Sequence, residues 1–314
     1  MDLRAHIDRA EAQLRSGPHS DRARLDAESL LLHLIEKNRA WLLTHLEDEF
    51  GGCVAIRYAS LIDRRATGEP IQYITGETEF YGLPFRVTPD VLIPRPETEH
   101  LVERVVRLIP VFHPSPKGSF SVRRVRSFSY RKLQEPRDNP QLADWPPRIL
   151  EIGTGSGAIA ISIAHDWSEA AITSVDISSA ALAVALDNAK RLGCADQIRF
   201  LQGDLLSPVA GESFEIIVSN PPYVPATDRA TLSVEVRDHE PAQALFAGAG
   251  GLDIYRRLIP QAFSALVPKG YLLLEIGYGQ SDAVRALLAN AGFIAIEFTP
   301  DLQGIPRVVT ARHP

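Results

Sequence analysis

The stretch RILEIGTGSGAIAISIA, Arg148 to Ala164, decides the fold. It reads as a buried strand, a turn built on Gly153, Gly155 and Gly157, and an apolar helix. Glycines there let the backbone pass close to a ligand, and the helix N-terminus behind them offers unpaired N–H groups to something anionic. Outward from this turn, strands and helices alternate. AITSVD, IRFLQG, FEIIVS and GYLLLEIG read as further buried strands, with SAALAVALDNAKRLG and LDIYRRLIPQAFSALV as helices between them. Such alternation predicts an α/β fold with a parallel, doubly wound, Rossmann-like sheet. FIAIEFTP and PRVVTAR then follow with no helix between them, which predicts an antiparallel hairpin closing one edge of a seven-stranded sheet.

Ligands of such sheets sit beyond the carboxyl ends of the strands. Asp176 ends the second strand, where a carboxylate would hold the hydroxyls of an adenosine ribose, and Asp204 ends the third, where an adenine edge would lie. A glycine-rich turn alone is a weak signal. Three successive strand ends carrying that turn and two aspartates are a stronger one, although either aspartate also suits a helix N-cap. The fourth strand runs into VSNPPYVP, Val218 to Pro225. Two consecutive prolines remove two backbone donors and fix φ at about −65°, so the run can neither continue as a strand nor open a helix. Asn220, Pro221, Pro222 and Tyr223 are thereby held in a rigid turn at a strand end.

Upstream the pattern differs. Residues 1–75 read as a helical bundle, with Leu30, Leu31, Leu34 and Ile35 as its core. His6, His33 and His45 have no catalytic spacing and read as surface or core-edge residues. From Ile71 to Pro94 the pattern turns to β, with a linking hairpin over 76–94 in which Phe80 and Tyr81 serve packing. The third unit, 95–314, carries the sheet. Within it, 113–145 is rich in Pro, Ser and Arg without sustained periodicity, and from His113 to Asp144 it holds seven Lys or Arg against three Asp or Glu. It reads as a mobile basic surface insertion, or else as an arm for RNA or an acidic partner.

Composition narrows the function classes. The 314 residues favour two domains, and 33 basic against 39 acidic residues leave −6, which argues against a surface that coats nucleic acid. Cys53 and Cys194 stand far apart with no CxxC or Cys/His cluster, so free thiols in a reducing compartment are expected, without structural zinc. The N-terminus lacks the apolar segment of a secretion signal and no apolar run approaches a membrane span, which predicts a cytoplasmic protein.

EIGTGSG, VDIS, GDLL and NPPY, in that order and spacing, resemble a class I S-adenosylmethionine-dependent methyltransferase. More narrowly, LIPRPETEHLVE, SNPPYVP, EPAQALFAGAGGLDIYRRL and EIGYGQ resemble the glutamine N5-methyltransferases that modify peptide-chain release factors, the HemK or PrmC family. The resemblance covers nearly the whole chain and breaks off at the long basic segment. It implies that Gly153, Thr154, Gly155, Ser156, Gly157, Asp176, Asp204, Leu205 and Asn220 bind S-adenosylmethionine, and that Asn220, Pro221, Pro222 and Tyr223 grip the nitrogen to be methylated. It also implies a substrate-recognising N-terminal domain and a class I release factor as protein partner of a monomeric enzyme. Arg95, Glu97 and Thr98 would cover the methionine end of the cofactor, with a helix start capped at Thr98 as the plainer reading. The loop carrying His239, Glu240 and Pro241 would lie nearby, with no catalytic part for His239.

The chemistry suits these residues. An amide nitrogen shares its lone pair with the carbonyl, so it is planar and a poor nucleophile. An Asn side-chain oxygen and a neighbouring backbone carbonyl supply two fixed acceptors for its two N–H bonds. Tyr223 offers a face on which a planar group stacks. Exocyclic amines of adenine or cytosine fit the same four residues, which leaves a nucleic-acid amino-methyltransferase open. A base-modifying enzyme, however, needs a basic target-recognition domain that this chain lacks outside its insertion. The motifs are also compatible with a sister branch acting on a ribosomal protein, and with a non-enzymatic cofactor-binding scaffold whose basic insertion binds ribosomal RNA. IPRPETE sides with the release-factor branch.

Overall fold

The computed structural model describes residues 1–112 and 147–314. The basic insertion expected at 113–145 lies outside the described residues.

Five helices precede any strand: α1 (Leu3–Leu14), α2 (Ala23–Ile35), α3 (Arg39–Thr44), α4 (Gly52–Ala66) and α5 (Ile71–Thr75). Asp2 caps α1 by accepting from Ala5 N at 2.8 Å, and Asn38 caps α3 by accepting from Trp41 N at 2.9 Å. Ile7, Leu30, Leu31, Leu42, Tyr58 and Ile62 form the core, where the Tyr58 hydroxyl donates to Ala27 O at 3.0 Å. Leu34 and Ile35 are only partly buried against it.

The hairpin is shorter than its sequence pattern suggests. Strands β1 (Glu77–Phe80) and β2 (Leu83–Arg86) flank a two-residue turn, Tyr81-Gly82, with φ of 53° and 72° at its two residues. Two positive φ values suit the right-handed twist of a tight hairpin. Ile71–Thr75, read as strand from its alternation, is instead the single-turn α5, opened by Pro70 and closed by Gly76 at φ 79°. Five residues are too few for periodicity to separate helix from strand. Phe80 and Phe85 pack edge to face at 6.0 Å between ring centres, and the Tyr81 hydroxyl donates to Asp166 Oδ2 at 2.9 Å, so both hairpin aromatics serve packing.

After α6 (Glu99–Phe112) comes the sheet: β3 (Arg148–Ile152), β4 (Ala171–Asp176), β5 (Ile198–Gln202), β6 (Phe214–Ser219), β7 (Leu266–Glu275), β8 (Ile294–Pro300) and β9 (Pro306–Arg312). Their order is β5-β4-β3-β6-β7-β9-β8, parallel throughout except for β9, which runs against both neighbours. Between the strands lie α7 (Ala158–Asp166), α8 (Ser179–Arg191), α9 (Ala242–Leu245), α10 (Asp253–Ala265) and α11 (Ser281–Ala291). Leu101, Val105 and Ile109 of α6 and Ile159 and Ile163 of α7 cover one face; Tyr255, Leu258 and Ile259 of α10 and Val284 and Leu288 of α11 cover the other. Strands buried on both faces explain the near-continuous apolar runs.

From β3 the chain builds outward through β4 and β5, then returns to place β6 on the opposite side of β3. The order reverses there, and a crevice opens beyond the carboxyl ends of β3 and β6.

Candidate active site

Register brings the two chemical segments together. Ile152 pairs with Ser219, so the glycine-rich turn leaving β3 and the Asn-Pro-Pro-Tyr turn leaving β6 start side by side. A Cβ on Gly153 would lie 3.7 Å from Asn220 O. Gly153, Gly155 and Gly157 have φ of 85°, 53° and 82°, where side chains are disfavoured. A Cβ on Gly157 would meet Ile161 Cδ1 at 2.8 Å, whereas one on Gly155 would meet nothing within 4 Å. The turn is packed behind and open in front.

Asp176, at the end of β4, accepts from Gly155 N through Oδ2 and from Ser178 N through Oδ1, each at 2.9 Å. Ser178, not Asp176, caps α8. Each carboxylate oxygen keeps a lone pair for a further donor. Thr154 and Ser156 are buried: the Thr154 hydroxyl pairs with Ser174 Oγ at 2.7 Å, and the Ser174 hydroxyl donates to Glu151. Asn188 of α8 donates through Nδ2 to Ser156 O and Arg86 O, and its Oδ1 accepts from Arg86 N at 2.8 Å. One side chain thus fastens the hairpin to the glycine turn. Glu151 is fully buried, its Oε1 has no hydrogen-bond partner among the described residues, and burial raises its carboxyl to about 8 against the lowering effect of Ser174.

Asp204 follows Gly203, whose N–H donates to Asp176 O at 3.0 Å. It is exposed and ion-paired with Arg257 of α10, a partner its sequence context does not announce. Leu205, at φ 50°, buries its side chain in the core, so only its backbone remains to face a ligand.

The Asn-Pro-Pro-Tyr turn is braced from several directions. Val224 N donates to Leu245 O at 2.9 Å and Ala247 N to Val224 O at 3.0 Å. Gln280 donates through Nε2 to Tyr223 O at 3.0 Å, and its Oε1 accepts from Gly277 N at 2.9 Å. Asn220 Nδ2 donates to Thr98 Oγ1 at 3.1 Å. Thr98 does not cap a helix; its hydroxyl donates to Glu275 Oε2 at 2.6 Å, at the end of β7. The Tyr223 hydroxyl faces Glu275 Oε1 at 3.4 Å, and burial pushes that phenol well above its usual range. Glu275 is 2% exposed, and burial raises its carboxyl to about 7 while Thr98 and Tyr223 pull it down. Neither Asn220 Oδ1 nor the Pro221 carbonyl accepts a hydrogen bond from any described residue.

Arg95 pairs with Glu240, whose carboxyl burial raises against the pull of that guanidinium. His239 lies in the π-helical turn Glu235–His239 before it. Sequence reasoning misses Glu151, Glu275 and Gln280 as contributors. The first two do carry a signal, an acid at a strand end, but in the sequence it draws notice only at Asp176 and Asp204.

These residues fit the cofactor that the sequence motifs imply. Gly155 leaves open space before the turn, Asp176 retains acceptor capacity for vicinal hydroxyls, and Glu151 holds a buried carboxyl oxygen without a partner among the described residues.

Comparison with known proteins agrees. Residues 6–76 match the PrmC N-terminal domain family, and residues 140–245 match the Methyltransferase small domain family. A release factor glutamine methyltransferase of Koribacter versatilis (strain Ellin345) is 41% identical over 315 residues, covering 100% of this chain and 99% of that one. One of Moorella thermoacetica (strain ATCC 39073 / JCM 9320) is 40% identical over 312 residues, covering 99% and 98%. Among solved structures, the hMettl16 catalytic domain in complex with MAT2A 3′UTR hairpin 1 aligns over 92% of this chain and 93% of its own, with a TM-score of 0.52 at 14% identity, a likeness of fold. The expected sheet and helical N-terminal region are those of a methyltransferase, and among the described residues no helix is long and apolar enough to cross a membrane. With relatives this similar from end to end, the chain belongs to the release factor glutamine methyltransferase family.

Proposed function

We propose that this chain transfers a methyl group from S-adenosylmethionine to the side-chain amide nitrogen of the glutamine in the Gly-Gly-Gln motif of class I release factors, acting as a cytoplasmic monomer. The observation that carries this reading is the Asn220 side chain. Its Nδ2 is engaged by Thr98, which leaves Oδ1 and the neighbouring Pro221 carbonyl as a pair of acceptors beside the glycine turn. Two acceptors suit a nucleophile with two N–H bonds. A glutamate would set oxygen lone pairs against them, and a site built to hydrogen-bond one group rejects an analogue without its protons by as much as about 10⁴–10⁵.

In this reading Gly153–Gly157, Asp176, Asp204 and the Leu205 backbone hold the cofactor, which supplies a methyl group already activated on a sulfonium. The protein orients the acceptor. Asn220 Oδ1 and Pro221 O draw on the two amide N–H bonds and fix the nitrogen for approach, while Tyr223 stacks on the amide plane. As positive charge reaches the nitrogen, one of those protons is released to solvent. The two prolines and the hydrogen bond from Asn220 Nδ2 to Thr98 keep the acceptors in place, so little reorganisation remains for the reaction itself.

The test is to offer the enzyme a release factor, its Gln→Glu variant, the sister ribosomal protein and duplex DNA, each with labelled S-adenosylmethionine. Label on the side-chain nitrogen of the unmodified release factor alone is expected. Strong labelling of DNA, or equal labelling of the Gln→Glu variant, would overturn the assignment.

A further inference from the structure

An asparagine amide has two unlike ends, and only one suits a nucleophile that brings N–H bonds. With Nδ2 toward the substrate, two donors would face each other; with Oδ1 there, donor meets acceptor. Something must choose between orientations that differ by a half-turn of χ2, and the prolines beside Asn220 fix only the backbone.

The choice lies in where one hydroxyl proton goes, across three chain segments. Thr98 Oγ1 is 2.6 Å from Glu275 Oε2 and 3.1 Å from Asn220 Nδ2. A threonine hydroxyl has one proton. At pH 8, above the value of about 7 to which burial raises it, the Glu275 carboxylate is ionised and only accepts, so Thr98 commits that proton to Glu275. Toward Asn220 it then has lone pairs alone, and Asn220 must answer with N–H. Without an acceptor at Glu275 the Thr98 proton would turn to Oδ1 and draw the amide round.

The surroundings support a defined role for Glu275. Its other oxygen faces the Tyr223 hydroxyl, and its backbone carbonyl accepts from Tyr255 at 2.7 Å. Glu97 raises its carboxyl and Arg307 lowers it, from the turn before α6 and from β9. A carboxyl with this exposure is costly to bury, and packing alone does not call for it.

We propose that Glu275 is a positioning residue for methyl transfer: through the Thr98 hydroxyl it commits the Asn220 amide to present Oδ1 to the incoming nitrogen. The inference rests on the amide-clamp function proposed above.

Single-turnover methyl transfer to a release factor at pH 8, with calorimetric cofactor affinity alongside, tests it. Thr98→Val removes the hydroxyl at nearly constant shape. The transfer rate should fall at least about tenfold, the scale for one misplaced partner, while the cofactor Kd stays within about threefold. Thr98→Ser should restore most of the rate. In an Asn220→Ala background, Thr98→Val should cost nothing further, because the group it orients is gone. Should Thr98→Val not fold, Glu275→Met frees the Thr98 proton and should lose at least as much rate. A parental rate in these variants, or an equal loss in both backgrounds, overturns the inference alone. If the parent enzyme methylates no release factor, the proposed function fails and this inference with it.

Discussion

Arg65 Nε donates to Asp26 Oδ2 at 2.7 Å, with both side chains 2% exposed, and the same guanidinium also pairs with Glu235 in the turn before Glu240. One buried cation therefore holds α2 and α4 together and fastens both to the sheet-bearing half. Gly68 meets Val234 beside it, where a Cβ would lie 2.6 Å from Val234 Cγ1. Removing one partner of a buried pair leaves the other charge uncompensated and costs about 3–5 kcal/mol. Arg65→Met should lower unfolding stability by that order in a denaturant titration. The double variant Arg65→Met/Asp26→Leu should recover much of the loss. If the single variant unfolds at the parental midpoint, the pair contributes nothing.

Asp176 is the acceptor to which the glycine turn is tied. Asp176→Ala should weaken S-adenosylmethionine binding by about 1.5–3 kcal/mol, roughly ten- to a hundredfold in Kd, the scale for hydrogen bonds to a charged group. Calorimetry on the folded variant measures it, and an unchanged Kd would remove Asp176 from the site.

Gly251 sits behind Tyr223. At φ 69°, a Cβ there would lie 2.2 Å from Tyr223 O and 2.9 Å from Gln280 Nε2. The Tyr223 carbonyl is backbone and cannot yield without moving the Asn-Pro-Pro-Tyr turn. Displacing catalytic groups by about 1 Å can cost about 10² in rate. Gly251→Ala should therefore lose turnover of that order while cofactor affinity holds, and turnover within threefold of the parent would mean the turn absorbs the push harmlessly.

Glu151 sets a pH dependence of stability. Burial raises its carboxyl to about 8, whereas an unfolded glutamate titrates near about 4.3. Between those values the folded chain keeps a proton that the unfolded chain has released, so stability falls as pH rises through the window, by at most about 1.4 kcal/mol per pH unit. Glu275 adds the same sign up to about 7. Melting temperatures of Glu151→Gln and parent, compared from pH 5 to 9, should diverge in favour of the variant as pH rises. A constant difference across that range would show that Glu151 does not titrate there.

Much of the fold was legible because each signal was local. The glycines after β3, the alternation of strands and helices, and the two C-terminal strands each declare themselves within a few residues. Asp176 and Asn220 draw notice for the same reason, as residues at strand ends of the chemical type that the proposed reaction calls for. Glu275 was not, because its meaning lies in Thr98 and Tyr223, far away in sequence and joined to it only by the sheet order. Asp204 carried a partner, Arg257, supplied by the helix between β6 and β7. Ile71–Thr75 misled because one helical turn and a short strand alternate alike.

The relay from Glu275 through Thr98 to Asn220 spans 177 and 122 residues of chain. On the ribosome this has a consequence for timing. A nascent chain emerged as far as Ala265 already contains the glycine turn, Asp176 and the whole Asn-Pro-Pro-Tyr run, but neither the carboxylate of Glu275 nor the Gln280 side chain that braces Tyr223. Long-range contacts of this kind form after local ones. The Asn220 alignment proposed above is therefore among the last features the polypeptide acquires during its own synthesis, and fragments ending before β7 carry the sequence motifs without the Glu275 carboxylate.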